Sequence, residues 1–182
     1  MKTFEEKKFN IPKLKGLSEK TIEEHLKLYS GYVKNANELL ESQEYNRRFN
    51  FEFCGMRNHE IYFSHFEGGS TPLTPSGPLI QAGFDLEKFK ALALTRGVGW
   101  AMLVWDPVSK QLLSNWVDEQ HLGQLSACIP VIALDMWEHS YVADYQPSGK
   151  KNYIEDFFTN LNWQSVERNF LAAQTGANAA QK

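Results

Sequence analysis

A chain of 182 residues, 42% hydrophobic and 23% charged, can bury about 70% of its unfolded surface and carries too little charge to be disordered at large. Its net charge of −3 supplies no basic stripe for nucleic acid and no polybasic membrane patch. No run approaches the roughly 18 apolar residues of a membrane span, and residues 1–8 lack the apolar centre of a secretory signal, so a cytoplasmic chain is expected. Cys54 and Cys128 are far apart in sequence and form no CxxC, which in a reducing compartment predicts unpaired thiols.

In chain order, Ser18, Thr21 and Glu24 mark a helix start, and Ile22, Leu26, Tyr32, Val33, Leu39 and Leu40 continue its period over residues 18–42. A second helix is expected over residues 49–66, stopped by Gly68 and Gly69. The Pro-rich segment 70–78 breaks helix and sheet alike and sets a domain boundary between residues 1–70 and 71–182. Beyond it come a helix over 85–95, strands over 99–106, 111–117 and 130–134, and helical patterns over 137–145 and 153–173. Residues 172–182 are small and polar enough to form a frayed tail. The expected fold class is α+β, an antiparallel α-hairpin followed by an α/β domain with a three-stranded antiparallel sheet.

The segment Asp135-Met136-Trp137-Glu138-His139 ends the last strand, with His25 and His59 in helices far upstream. An Asp and a His four residues apart recur by chance on helix faces. Three imidazoles with one carboxylate, however, suit iron or manganese better than the thiolate-rich set of structural zinc. A metal would also remove the cost of an unpaired Asp135 carboxylate beside an apolar strand. His65 lies about 240° round the helix from His59 and is assigned to the surface. A mononuclear non-haem iron oxygenase is an alternative, although the third His would occupy a position such a site needs open.

The stretch from Ile132 through Tyr141, then Asp144-Tyr145, Tyr153 and Asn162-Trp163, resembles the C-terminal half of the iron/manganese superoxide dismutases, which carry a D-x-W-E-H-A-Y signature. Upstream, His25 followed by Tyr32-Val33-Lys34-Asn35 is similar to the family's first ligand helix. Asn58-His59 with Tyr62 and Phe63 is similar to its second, and residues 97–104 match a G-x-G-W-x-x-L strand. The resemblance spans roughly residues 9–171.

It implies one iron or manganese ion per subunit, iron slightly ahead of manganese, held by His25, His59, Asp135 and His139. It further implies superoxide as substrate, with dioxygen and hydrogen peroxide as products. Tyr32 corresponds to the gateway tyrosine, although its spacing from His25 is seven rather than eight; the deletion would straighten a π-bulge. Gly55 stands where many iron forms place a solvent-tuning glutamine. That role therefore passes to His121, nine residues before Pro130, with Gln120 as the fallback. Trp100 and Trp137 would wall the pocket, and Trp163 fills core volume. Tyr29 replaces the gateway histidine, Val142 its cross-subunit tyrosine partner, and Lys150 or Lys151 stands in for a channel arginine. Glu138 would pair with His139 of a twofold partner, giving a homodimer or homotetramer. A dismutase-fold protein that binds metal without catalysis remains the other alternative.

Overall fold

The computed structural model describes residues 2–176, so the expected tail falls outside the described residues from 177 onward. Helix α1 (Glu19–Ser42) begins where the Ser18 hydroxyl accepts the Thr21 N–H. It ends where Gln43 turns left-handed at φ 60° and its amide closes on the Leu39 and Leu40 carbonyls. It runs unbroken for 24 residues. Helix α2 (Arg47–Ser64) is capped by Asn46, whose side chain accepts from the Arg48 and Phe49 amides. It starts two residues before the expected position. Gly68 and Gly69 do adopt positive φ, but in the turn beyond the helix rather than at its cap.

The Pro-rich connection is not wholly irregular. Pro78 opens a one-turn helix α3 (Pro78–Gln81), which its fixed φ and missing N–H permit at a first helical position. Asp85 caps α4 (Leu86–Ala93). The three expected strands form, as β1 (Gly99–Asp106), β2 (Gln111–Asp118) and β3 (Ile129–Asp135), antiparallel in the order β2-β1-β3. Gly99 is required at the start of β1: it sits at φ 152°, and a Cβ there would meet the Val117 carbonyl oxygen at 2.1 Å. The register shifts between Leu103 and Val104, opposite Pro130, which has no amide to donate to the ladder. Trp100 faces Asp135 across the β1–β3 pair.

The segment after β3 is tighter than its helical pattern implied, with a 3-10 turn (Glu138–Ser140) and a short α5 (Val142–Tyr145). The single helix expected over 153–173 is two, α6 (Lys150–Asn160) and α7 (Trp163–Gln174). Leu161 is extended between them, and the Asn162 side chain caps α7 by accepting the Ser165 amide. One apolar cluster runs through both sides of the expected boundary, from Ile22 and Phe63 of the hairpin to Trp100, Leu134, Phe157 and Phe170. The fold class is the expected one. Cys54 and Cys128 are free, and no helix among the described residues is long and apolar enough to cross a membrane.

Candidate metal centre

Three parts of the chain meet where α1 and α2 pack against the end of β3. His25 comes from α1, His59 from α2, Asp135 from the last position of β3, and His139 from the 3-10 turn that follows. The first three are almost fully buried. Asp135 Oδ1 accepts the Trp137 amide at 2.8 Å, which leaves Oδ2 facing the imidazoles. His25 Nε2 lies 3.1 Å from it, His139 Nε2 3.2 Å and His59 Nε2 3.5 Å. One ligand atom from each of the four residues falls within 4.8 Å of the other three.

The His59 tautomer follows from its partners. Its Nδ1–H donates to the Gly55 carbonyl at 2.6 Å, so Nε2 is unprotonated, buried and without a hydrogen-bond partner. Its lone pair therefore faces a carboxylate oxygen across 3.5 Å. Two electron-rich atoms in that arrangement repel unless a cation lies between them. The donor set accordingly fits a divalent or trivalent first-row ion.

Electrostatics point the same way. Burial pushes His59 down to about 3, with the His25 charge adding to the effect, so the ring stays neutral. Burial also lowers His25, against the pull of its contact with Asp135. For Asp135 burial works upward, but the His139 charge and the hydrogen bonds from His139 and His25 overcome it and keep the carboxylate ionised. His139 moves the other way, because attraction to Asp135 exceeds the cost of its burial.

Beside this cluster lies a hydrogen-bonded chain centred on Gln120. The Trp100 indole N–H donates to Gln120 Oε1 at 2.9 Å, and Gln120 Nε2 donates to the Tyr32 hydroxyl at 3.1 Å. The Asn58 side-chain amide holds the Gln120 main-chain carbonyl at 2.9 Å. The Tyr32 ring packs 5.0 Å from His59, and burial, reinforced by the Asp135 charge, raises its phenol and keeps it protonated.

His121 points elsewhere. Its ring contacts Phe51, its Nδ1 lies 4.0 Å from Glu119, and it lines a surface groove with Asn46, Arg47, Arg48 and Phe51. Of the adjacent pair, Gln120 is fully buried and bonded to Tyr32, while the His121 side chain is 8% exposed. Glu119, at φ 51°, precedes them, and that left-handed residue redirects the chain at this point.

Other expected residues divide. Trp100 lies 5.0 Å from His59 and Trp137 stacks 6.0 Å from His139, so both wall the cluster. Trp163 packs between Phe84 and Phe158, in the core. Tyr29 is buried and engaged elsewhere; its hydroxyl accepts the Lys7 amide and donates to Glu60. Lys150 is committed to the Thr95 carbonyl and the Trp116 ring, and Lys151 is exposed. Glu138 is exposed, while the His139 side chain keeps 25% of its surface open.

His65 was assigned to the surface and is instead fully buried. It sits just past α2, in a turn tightened to i−3 bonding, and its Nε2 accepts the Ala133 amide of β3 at 3.2 Å. The only sequence signal for this was the apolar company of Tyr62, Phe63 and Phe66.

The C-terminal domain model of the iron/manganese superoxide dismutases matches residues 83–169. A superoxide dismutase [Mn/Fe] of Aeropyrum pernix is 30% identical over 176 residues, covering 84% of this chain and 82% of that protein. A superoxide dismutase [Fe] of Pyrobaculum aerophilum is 31% identical over 175 residues, with 84% and 82% covered. A superoxide dismutase [Mn] 2 of Halobacterium salinarum is 36% identical over 123 residues, covering 64% of this chain and 61% of its own.

Proposed function

Because this chain belongs to the iron/manganese superoxide dismutase family, we propose that it converts two superoxide anions and two protons into dioxygen and hydrogen peroxide at the cluster of His25, His59, Asp135 and His139. The observation that carries this reading is the buried, unpartnered His59 lone pair facing the Asp135 carboxylate. Bound iron or manganese supplies alternating one-electron exchange with superoxide.

The remaining work falls to the chain. Tyr32 closes the cluster on the side of Phe51 and holds a proton on its phenol. Gln120 sets the direction of that phenol and is itself fixed by the Trp100 indole and the Asn58 amide. Here Gln120, not His121, is the residue assigned to tune the proton and the potential at the centre. Trp100 and Phe63 beside His59, and Trp137 beside His139, surround the donors with rings that exclude bulk water.

The proposed assembly is a homodimer or homotetramer in which Glu138 of each chain receives the open imidazole edge of His139 of the other. Both residues lie at an accessible edge of the cluster, which supports a shared interface. A cytoplasmic location is proposed, in keeping with the two free cysteines.

Metal analysis of the purified protein, paired with a superoxide assay after reconstitution with each ion, tests the reading. One ion per chain and metal-dependent dismutation are expected, iron restoring more activity than manganese. A metal-loaded protein without dismutation would leave a dismutase-fold binding protein, and dioxygen-dependent substrate oxidation would favour the oxygenase.

A further inference from the structure

Building on that metal-site reading, we propose that His65 is a positioning residue for the Asp135 carboxylate, acting through the outer edge of β3. Strand β3 has β1 on one side only. The Met136 amide bonds Gly99 of β1 at 2.9 Å, so by the alternation of a β-strand the Ala133 and Asp135 amides face away from β1. On that open side no strand fixes the residue that bears the carboxylate.

Side chains do it instead. The Asp135 carbonyl accepts from the Tyr153 hydroxyl at 2.8 Å and from the Ser140 hydroxyl at 3.1 Å. Two residues earlier, His65 Nε2 accepts the Ala133 amide. The ring stands edge-on to Phe157, and the His65 main-chain carbonyl accepts the Asn162 amide at 2.8 Å. His65 thereby ties the end of α2, which carries His59, to β3, which carries Asp135, and ties both to the α6–α7 junction. No other side-chain acceptor holds the outer edge of β3 at Ala133 among the described residues.

Because only Nε2 makes the contact, while Nδ1 is buried with no partner, two amides of different reach separate the tether from mere packing. In His65→Gln the amide takes the place of Nε2 and reaches Ala133. In His65→Asn it takes the place of Nδ1 and falls short. His65→Leu fills the volume with no acceptor.

Each metal-loaded variant is read by the electron paramagnetic resonance spectrum of the bound ion and by its rate of release to a chelator. The Asn and Leu variants are expected to alter the spectrum and release metal about 10-fold faster, as loss of a supporting hydrogen bond does at metal sites. The Gln variant is expected to keep the wild-type spectrum and release within about twofold, since it preserves that bond. If Leu does not fold, the comparison of Asn with Gln decides alone. An Asn variant with wild-type spectrum and release, or a Gln variant as impaired as Asn, overturns the proposal. A wild-type chain that binds no ion overturns the function proposed above and this inference with it.

Discussion

The ring of Tyr32 lies against the bare Cα of Gly55: a Cβ at residue 55 would come within 2.7 Å of Tyr32 Cδ1 and 2.8 Å of Cε1. An α1 residue and an α2 residue thus interlock beside the cluster, and the Gly55 carbonyl at the same point orients His59. In an unconstrained helix Gly→Ala stabilises by about 1 kcal/mol. Here Gly55→Ala is expected to push Tyr32 off Gln120, lowering turnover by about 10-fold while metal is retained. Steady-state kinetics with metal analysis checks this, and unchanged turnover would show that Gly55 does not set the position of Tyr32.

His59→Ala removes the donor whose lone pair faces Asp135. Loss of an outer hydrogen-bond partner costs roughly 10–100-fold in metal affinity, and loss of a donor is expected to cost more. Dialysis against a chelator followed by metal analysis measures it. A variant that keeps full metal and activity would remove His59 from the site.

Gln120 and His121 are separated by paired substitution. Gln120→Ala breaks the link between Trp100 and Tyr32, so turnover should fall about 10–100-fold and the reduction potential should shift with the metal still bound. His121→Ala, whose side chain meets Phe51 and the surface groove, should leave both within about threefold. The reverse ranking would return the role to His121.

The Glu138 side chain makes no hydrogen bond or ion pair within its own chain among the described residues, its carbonyl alone accepting the Tyr141 amide, so its substitution tests the assembly rather than the fold. If it pairs with His139 of a second copy, Glu138→Ala should weaken association by about 3–5 kcal/mol, the usual cost of breaking a buried charged pair, and loosen metal retention with it. Analytical ultracentrifugation gives the readout. A variant that dimerises normally and keeps its metal puts the interface elsewhere.

Burial pushes His65 down to about 3, against about 6.5 for an exposed imidazole. Between these values the unfolded chain binds a proton that the folded chain does not. The contribution of neutral His65 is therefore complete above about pH 6.5 and is lost at ~1.4 kcal/mol per pH unit as pH falls toward 3. Denaturant titrations at pH 7, 6 and 5 should show a shallower acid loss for His65→Gln than for the wild type. Parallel pH profiles would mean that His65 is already protonated, or not buried, in the folded protein.

The sequence by itself determined the elements whose signals are local. The helix start at Ser18 and the run that forms β1 from Gly99 to Asp106 depend on residues within a few positions of each other, and both formed as expected. The four residues of the candidate metal site were readable through matched motifs, and the folded chain brings them within reach of one another. Where local signals compete, reading from sequence falls short. The apolar period through 153–173 does not reveal that Leu161 must extend so that Asn162 can cap α7 while also bonding Thr71 and the Glu67 carbonyl.

Only the tertiary structure decided which of two adjacent residues, Gln120 or His121, faces inward, because the answer depends on the path of an irregular connection through the left-handed Glu119. The same holds for His65. Its angle round α2 says which way it leaves the helix axis, but what lies there is β3, more than 60 residues further along the chain, with an edge amide that needs an acceptor. Periodicity encodes direction along one element; burial is set by whatever the rest of the chain packs against it.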